Sequence, residues 1–248
     1  MTIGVFAPGG YRFIRGLFQY SGGVSALPGF EIVRVRFREP VPLAAGFDRA
    51  EAIMREAGRE PTAFCACELR SPEPFTDQGF RSFNEQYVVK LKDWKIFDGK
   101  ANPVARSNVC PERDPPAAPS FHGFSFTMPA ADAMPTFVIS GGGEAREGPG
   151  RYAERTIRHG DTSPEGMAEK GAFVLDVMEM RMSFLGHEWA DATGTQVYTV
   201  HDLHPFLDDE IVRRAASRHG LTWHFCRPPV KGLDFEMDCR AIARERVV

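Results

Sequence analysis

The 248-residue chain is written twice. Residues 19–22 read Gln-Tyr-Ser-Gly and residues 138–141 read Val-Ile-Ser-Gly, and in each run the next residue is again glycine. Ser21 and Ser140 stand 119 positions apart. Cys110 and Cys226 repeat at nearly the same offset. A self-similar period of this length makes each copy one folding unit of ordinary domain size. The expected division is 1–133 and 134–248. The Pro/Ala-rich connector around residues 128–135 is short, so the copies are expected to pack together.

The apolar pattern gives both copies the same order of elements. In the first, residues 17–20 are apolar enough for a strand. Residues 31–38 interleave Ile32, Val33, Val35 and Phe37 with Arg34, Arg36 and Arg38, which predicts a half-buried strand with one basic face. Phe47, Ala50, Ile53, Met54 and Ala57 fall at helical spacing before Gly58, and Phe80, Phe83, Tyr87 and Leu91 mark a second helix over 77–94. Strands are predicted at 62–69, 105–110 and 122–128. In the second copy, strands are predicted at 137–140, 155–158, 196–200, 223–226 and 233–242. A helix should start at a Ser163 cap with Pro164 in its first turn and run to Gly186, and another should span 206–218. Strands, helix, strand, helix, strands is an α+β pattern: a mixed sheet with both helices on one face. The bare sheet face needs a cover, and the other copy or another subunit is the natural one.

Hydrophobic residues at 43% and charged residues at 25% are ordinary for a globular protein, and a net charge of −3 offers no basic footprint for nucleic acid or an anionic membrane. No apolar window reaches membrane-spanning length and the first residues are too short for a signal peptide, so a cytoplasmic protein is expected. The five cysteines lack zinc spacing and read as buried free thiols. His201-Asp202-Leu203-His204 sits at a strand-to-helix corner without a third ligand by spacing, and Asp202 suits a cap, so no metal is expected there. Gly141-Gly142-Gly143 lacks the following helix and the lysine of a phosphate-binding loop.

The most specific stretch is Asn102-Pro103-Val104-Ala105-Arg106-Ser107-Asn108-Val109. A planar guanidinium at the head of a strand can grip a carboxylate through two parallel hydrogen bonds and fix a small acid in one orientation. This stretch, with Pro8-Gly9-Gly10-Tyr11, Tyr20-Ser21-Gly22 and Phe83-Asn84-Glu85-Gln86-Tyr87, resembles the Rid superfamily of reactive intermediate deaminases, the YjgF-like proteins. Ile139-Ser140-Gly141 and Leu233-Asp234-Phe235-Glu236-Met237-Asp238 carry the resemblance in the second copy. It implies two tandem chorismate-mutase-like domains, assembly into a trimer or a trimer-based form, and sites in clefts between units. It also implies hydrolysis of enamines and imines to carbonyl compounds and ammonia without metal or organic cofactor. The family's carboxylate-binding arginine matches Arg106, and its tyrosine, serine and helix asparagine match Tyr11, Ser21 and Asn84, with Ser140 as the second serine.

The departures from that pattern are informative. The family's last strand bears an acid that holds the water; the first copy has Phe124-Ser125-Phe126 there, while the second has Glu236 and Asp238. The second copy has Thr222 where the arginine is expected, with Arg227 as a possible substitute. The expectation is therefore that Arg106 grips the substrate and that Glu236 or Asp238 handles the proton on water. The resemblance and the tandem length favour 2-aminomuconate or a chlorinated relative as the substrate. The alternatives are a general 2-aminoacrylate deaminase and a non-enzymatic module that binds a small acid.

Overall fold

The computed structural model describes residues 1–16 and 18–248. In chain order the elements are β1 (Ile3–Phe6), β2 (Tyr11–Ile14), β3 (Gly23–Ala26), β4 (Phe30–Pro42), α1 (Leu43–Glu56), β5 (Phe64–Arg70), α2 (Asp77–Asp93), β6 (Ala105–Pro111) and β7 (Ser120–Pro129). The second half gives β8 (Phe137–Gly143), α3 (Tyr152–Arg155), α4 (Pro164–Phe184), β9 (Gly194–Tyr198) and α5 (His204–Phe206), which continues as a π-helical turn (Leu207–Val212). The chain closes with β10 (Leu221–His224), β11 (Cys226–Arg227), β12 (Glu236–Ala241) and β13 (Arg244–Val247). None of the described helices is long and apolar enough to cross a membrane.

The strands form two mixed sheets, β1-β2-β3-β8-β12-β9-β10 and β11-β6-β5-β7-β4-β13. Inside them β4-β7-β5-β6 and β8-β12-β9-β10 share one order and one set of directions: two antiparallel pairings, then a parallel one. The doubled sequence is thus a doubled sheet core. The duplication is uneven, however. By motif, β8 matches the Ser-Gly-Gly before β3, yet in the sheet it takes the place held by β4. The second copy has no long strand in residues 144–163, where Gly148 and Gly150 both adopt positive φ.

Chain segments also cross between the copies. The N-terminal strands β1–β3 extend the second copy's sheet through β8. In return β13 pairs in parallel with β4, and β11 pairs with the end of β6.

Each sheet carries its helices on its outer face. Phe47, Ala50 and Met54 of α1 join Phe80, Phe83, Tyr87, Val88 and Leu91 of α2 over Val35, Phe64, Leu69, Phe121 and Phe124. Met167, Val174, Leu175, Met178 and Met182 of α4 cover Phe137, Ile139, Val197 and Met237. The inner faces meet across Tyr11, Phe13, Val24, Ile32, Cys65, Ala66 and Ala105, so each copy covers the other. A polar layer lies beside them. The predicted basic stripe is absorbed there at Arg34, which makes a two-pronged ion pair with Glu68 at 2.6 and 2.7 Å. Arg34 overrides the effect of burial and holds the Glu68 carboxyl well below its ordinary range.

The helix starts follow the sequence. Thr76 Oγ1 and Ser163 Oγ accept the Gly79 and Gly166 backbone N–H, each at 3.1 Å, and Gly186 ends α4's last turn at φ 78°.

Four expected elements differ. Leu17 of the predicted strand at 17–20 lies outside the described residues, and residues 18–19 form a turn whose Gln19 carbonyl accepts the Asn102 amide at 2.9 Å. Residues 155–158 are not a strand. Arg151 and Glu154 cap a helical turn there, Thr156 Oγ1 donates to the Tyr152 carbonyl at 2.8 Å, and Arg158 turns at φ 47°. These local hydrogen bonds outcompete the ladder. The helix expected over 206–218 becomes the π-helical turn, because Phe206 and Ile211 are both buried five residues apart, the spacing that an i→i+5 turn places on one side. Residues 223–226 divide between β10 and β11, which lie in different sheets.

Candidate active site

A cavity of about 340 Å³ lies where β6 and α2 of the first copy meet β8, α4 and the start of β12 of the second. Arg106 and Asn108 line it from β6, Phe80 from α2, Gly141 to Gly143 from β8, Val177 and Arg181 from α4, and Glu236 from β12.

Arg106 is 2% exposed. Its guanidinium carbon sits over four aromatic rings, at 4.7 Å from the Tyr87 centroid, 4.9 Å from Tyr20, 5.5 Å from Phe83 and 5.8 Å from Phe80. Such a box favours a cation and fixes its plane. Nη2 donates to Asn84 Oδ1 at 2.6 Å, while Nη1 is buried without a partner among the described residues. Ser140 Oγ accepts the Arg106 backbone N–H at 3.0 Å and donates to the Ser21 carbonyl at 2.6 Å. One hydroxyl therefore pins the head of β6 to both Ser-Gly segments. Nδ2 of Asn84 and Nδ2 of Asn108 also have no partner among the described residues. Buried donors left unpaired are costly in a folded protein, so Arg106 and Asn108, which line one cavity, mark a place for an anion.

Glu236 is 4% exposed and accepts no hydrogen bond from the described residues. Its room comes from Gly141: a Cβ there would lie 2.2 Å from Glu236 Oε1. Burial, with help from Asp238 and Glu144, pushes the Glu236 carboxyl well above its ordinary range against the pull of Arg106 and Arg181. Burial thus favours its protonated form, which can donate. The turn before it is anchored by Lys170, which is fully buried and pairs with Asp234 and with Glu144 at 3.4 Å. Glu144 in turn accepts the Asp234 and Phe235 N–H groups at 2.6 and 3.1 Å.

The residues singled out by sequence thus divide. Arg106, Asn84, Ser140 and Glu236 come together. Tyr11 lies in the inter-sheet core and donates to the Phe64 carbonyl at 3.1 Å. Ser21 is fully buried, with its hydroxyl on the Gly23 carbonyl at 3.3 Å, and contributes only its own carbonyl to Ser140. Asp238 faces the inter-sheet layer, held by Gln196 at 2.9 Å and Tyr198 at 2.7 Å. Arg227 is taken by Glu112 at 2.7 and 3.0 Å. Asp202 caps His204.

The counterpart of Arg106 also shifts by one residue. Thr222 pairs with Gln196 as Arg106 pairs with Cys67, but Cys67 faces the helices and Gln196 faces the other sheet. Leu221, packed against the helix-side core, points as Arg106 does. Sequence reasoning missed Arg181 and Tyr20. Arg181 could have been found as a charge on the buried stripe Lys170, Val174, Met178, Met182 of α4.

Residues 3–246 match the family described as 2-aminomuconate deaminase CnbZ. The chain is 51% identical over 246 residues, 98% of each sequence, to a 2-amino-5-chloromuconate deaminase from Comamonas testosteroni. Among solved structures, a chorismatase matches 89% of this chain and 77% of its own at 15% identity and a TM-score of 0.49. The YjgF gene product of E. coli matches 44% of this chain and 81% of its own at 17% identity and a TM-score of 0.32. With nearly every residue of both sequences aligned, the chain belongs to the 2-aminomuconate deaminase CnbZ family.

Proposed function

We propose that the chain is a deaminase that hydrolyses a carboxylate-bearing enamine or imine, 2-aminomuconate or its 5-chloro relative, to the 2-hydroxymuconate and ammonia. One observation carries this reading: a buried arginine whose Nη1 has no partner among the described residues shares a cavity with a buried carboxyl whose protonated form burial favours.

The substrate's C1 carboxylate settles on Arg106 Nη1, with the Asn108 amide as a further donor. That places C2 beside Glu236. Glu236 protonates the enamine carbon, which gives the iminium ion. The resulting carboxylate then takes a proton from water as the water oxygen bonds to C2, giving the carbinolamine. The same proton passes to nitrogen, the C–N bond breaks as ammonia leaves, and the hydroxyl proton returns to Glu236 as the carbonyl forms. The keto acid returns to its enol, so the net exchange is one water for one ammonia. Orientation on Arg106 and proton transfer at Glu236 are the two contributions required of the protein. The roles of Asn84 and Ser140 are to hold the guanidinium and its strand.

The cavity supports the larger substrate. About 340 Å³ is roughly eleven water-sized volumes at about 30 Å³ each, on the scale of a six-carbon amino diacid and well beyond a three-carbon amino acid. Division of the chain at 133/134, trimer-based self-association and a cytoplasmic location belong to the same reading. Ammonia release from 2-aminomuconate tests it. Arg106→Met and Glu236→Gln should each lose on the order of 10²-fold or more in kcat/KM. Wild-type rates in either variant would remove that residue from its role.

A further inference from the structure

We propose that Arg181 is the receptor for the substrate's second carboxylate, and that Glu147 is an anionic placeholder which the diacid displaces. The inference rests on the reading of the cavity above and adds to it the residue that selects diacids.

Arg181 projects from α4 of the second copy with its side chain 6% exposed. Nη1 is committed, donating to the Ser140 carbonyl at 3.1 Å. The remaining edge of the guanidinium is Nε and Nη2, the pair that grips a carboxylate through two parallel bonds. Nη2 holds Glu147 Oε1 at 3.1 Å, and Nε is buried without a partner among the described residues. Glu147 therefore fills only half of a two-pronged site.

Position matters as much as valence. Ser140 touches both arginines, with its carbonyl on Arg181 and its hydroxyl on the Arg106 backbone. Both arginines line the same cavity, and both guanidiniums act on the Glu236 carboxyl. A diacid gripped at its two ends would span this gap with its reacting carbon against Glu236.

The placeholder is built to leave. The Glu147 side chain is 68% exposed, and the loop that follows has Gly148 and Gly150 at φ 146° and 97°. With its glutamate end in solvent, this single-pronged ion pair is weaker than a desolvated two-pronged one. Arg155 also lines the cavity, but it lies over the Tyr152 ring at 4.7 Å and donates to the Arg146 carbonyl.

The test is binding calorimetry with two unreactive ligands of one skeleton and geometry, trans,trans-muconate (a diacid) and sorbate (a monoacid). Wild type should prefer muconate. Arg181→Met should weaken muconate by roughly 10–100-fold and leave sorbate within about threefold. Because a buried arginine variant can fail to fold, the surface variant Glu147→Gln carries the same test: muconate should tighten severalfold with sorbate unchanged. Arg155→Met should keep the wild-type preference. No preference in wild type, an unchanged preference in folded Arg181→Met, unchanged muconate affinity in Glu147→Gln, or loss of preference in Arg155→Met would overturn the assignment. The readout needs no turnover. If these affinities follow the pattern while 2-aminomuconate yields no ammonia, the deaminase reading fails alone.

Discussion

Gly141→Ala probes the cavity at its tightest point. The added methyl would lie 2.2 Å from Glu236 Oε1 and 3.1 Å from Ser107 Cβ, against an ordinary contact of 3.4 Å or more. The obstacle is the far end of a side chain, so the strand can stay in place while the carboxyl retreats by about 1.2 Å. Overpacking of this kind costs typically about 1–3 kcal/mol. Its larger effect is on the chemistry, since a displacement of about 1 Å in a reacting group can cost on the order of 10²-fold in rate. Gly141→Ala should therefore lose about two decades in kcat for ammonia release, with a loss of no more than about 3 kcal/mol in urea unfolding. Combining it with Glu236→Asp, whose shorter side chain clears the methyl, should restore part of the stability but not the rate. A Gly141→Ala enzyme that folds and turns over at the wild-type rate would refute the placement of Glu236 at the reacting carbon.

Other consequences can be checked separately. Lys170→Met leaves Glu144 and Asp234 without their buried cation and should cost about 3–5 kcal/mol in chemical denaturation. Ser140→Ala removes the acceptor of the Arg106 N–H and should cost about 1–3 kcal/mol, with a further loss in kcat/KM as the guanidinium loosens. Because Glu236 is protonated more readily when folded than when unfolded, its contribution to stability is complete below the ordinary carboxyl value of 4.5 and is lost as pH rises through the elevated folded value. Glu236→Gln should flatten that decline in a pH series of melting curves; an unchanged slope would show that the group does not titrate as described.

The strands and helices whose apolar residues recur locally were legible. Residues 47–57 and 163–186 show the helical period and its caps, and both form. What the sequence hides is pairing at a distance. Nothing in residues 244–247 announces that they add to β4 and not to their own copy's sheet, because edge pairing is backbone chemistry that any extended segment can make. Thr222 was aligned with Arg106 by position, but the face a strand residue takes is fixed by register, and Leu221 holds that place. The motifs at Arg106 and Glu236 bring both side chains to one cavity. Tyr11, Ser21 and Asp238 share those motifs yet are hydrogen-bonded elsewhere, because the face a strand residue takes depends on register, which a motif does not show.

The central claim is that Arg106 of one copy and Glu236 of the other act on a single substrate. A crystal structure of the Glu236→Gln variant soaked with 2-aminomuconate tests it directly. The account predicts one carboxylate on Arg106 Nη1 and the amide at position 236 within hydrogen-bonding reach, about 3 Å, of the substrate's C2 or its nitrogen. A substrate held by Arg106 with position 236 out of reach, or bound outside this cavity, would contradict it.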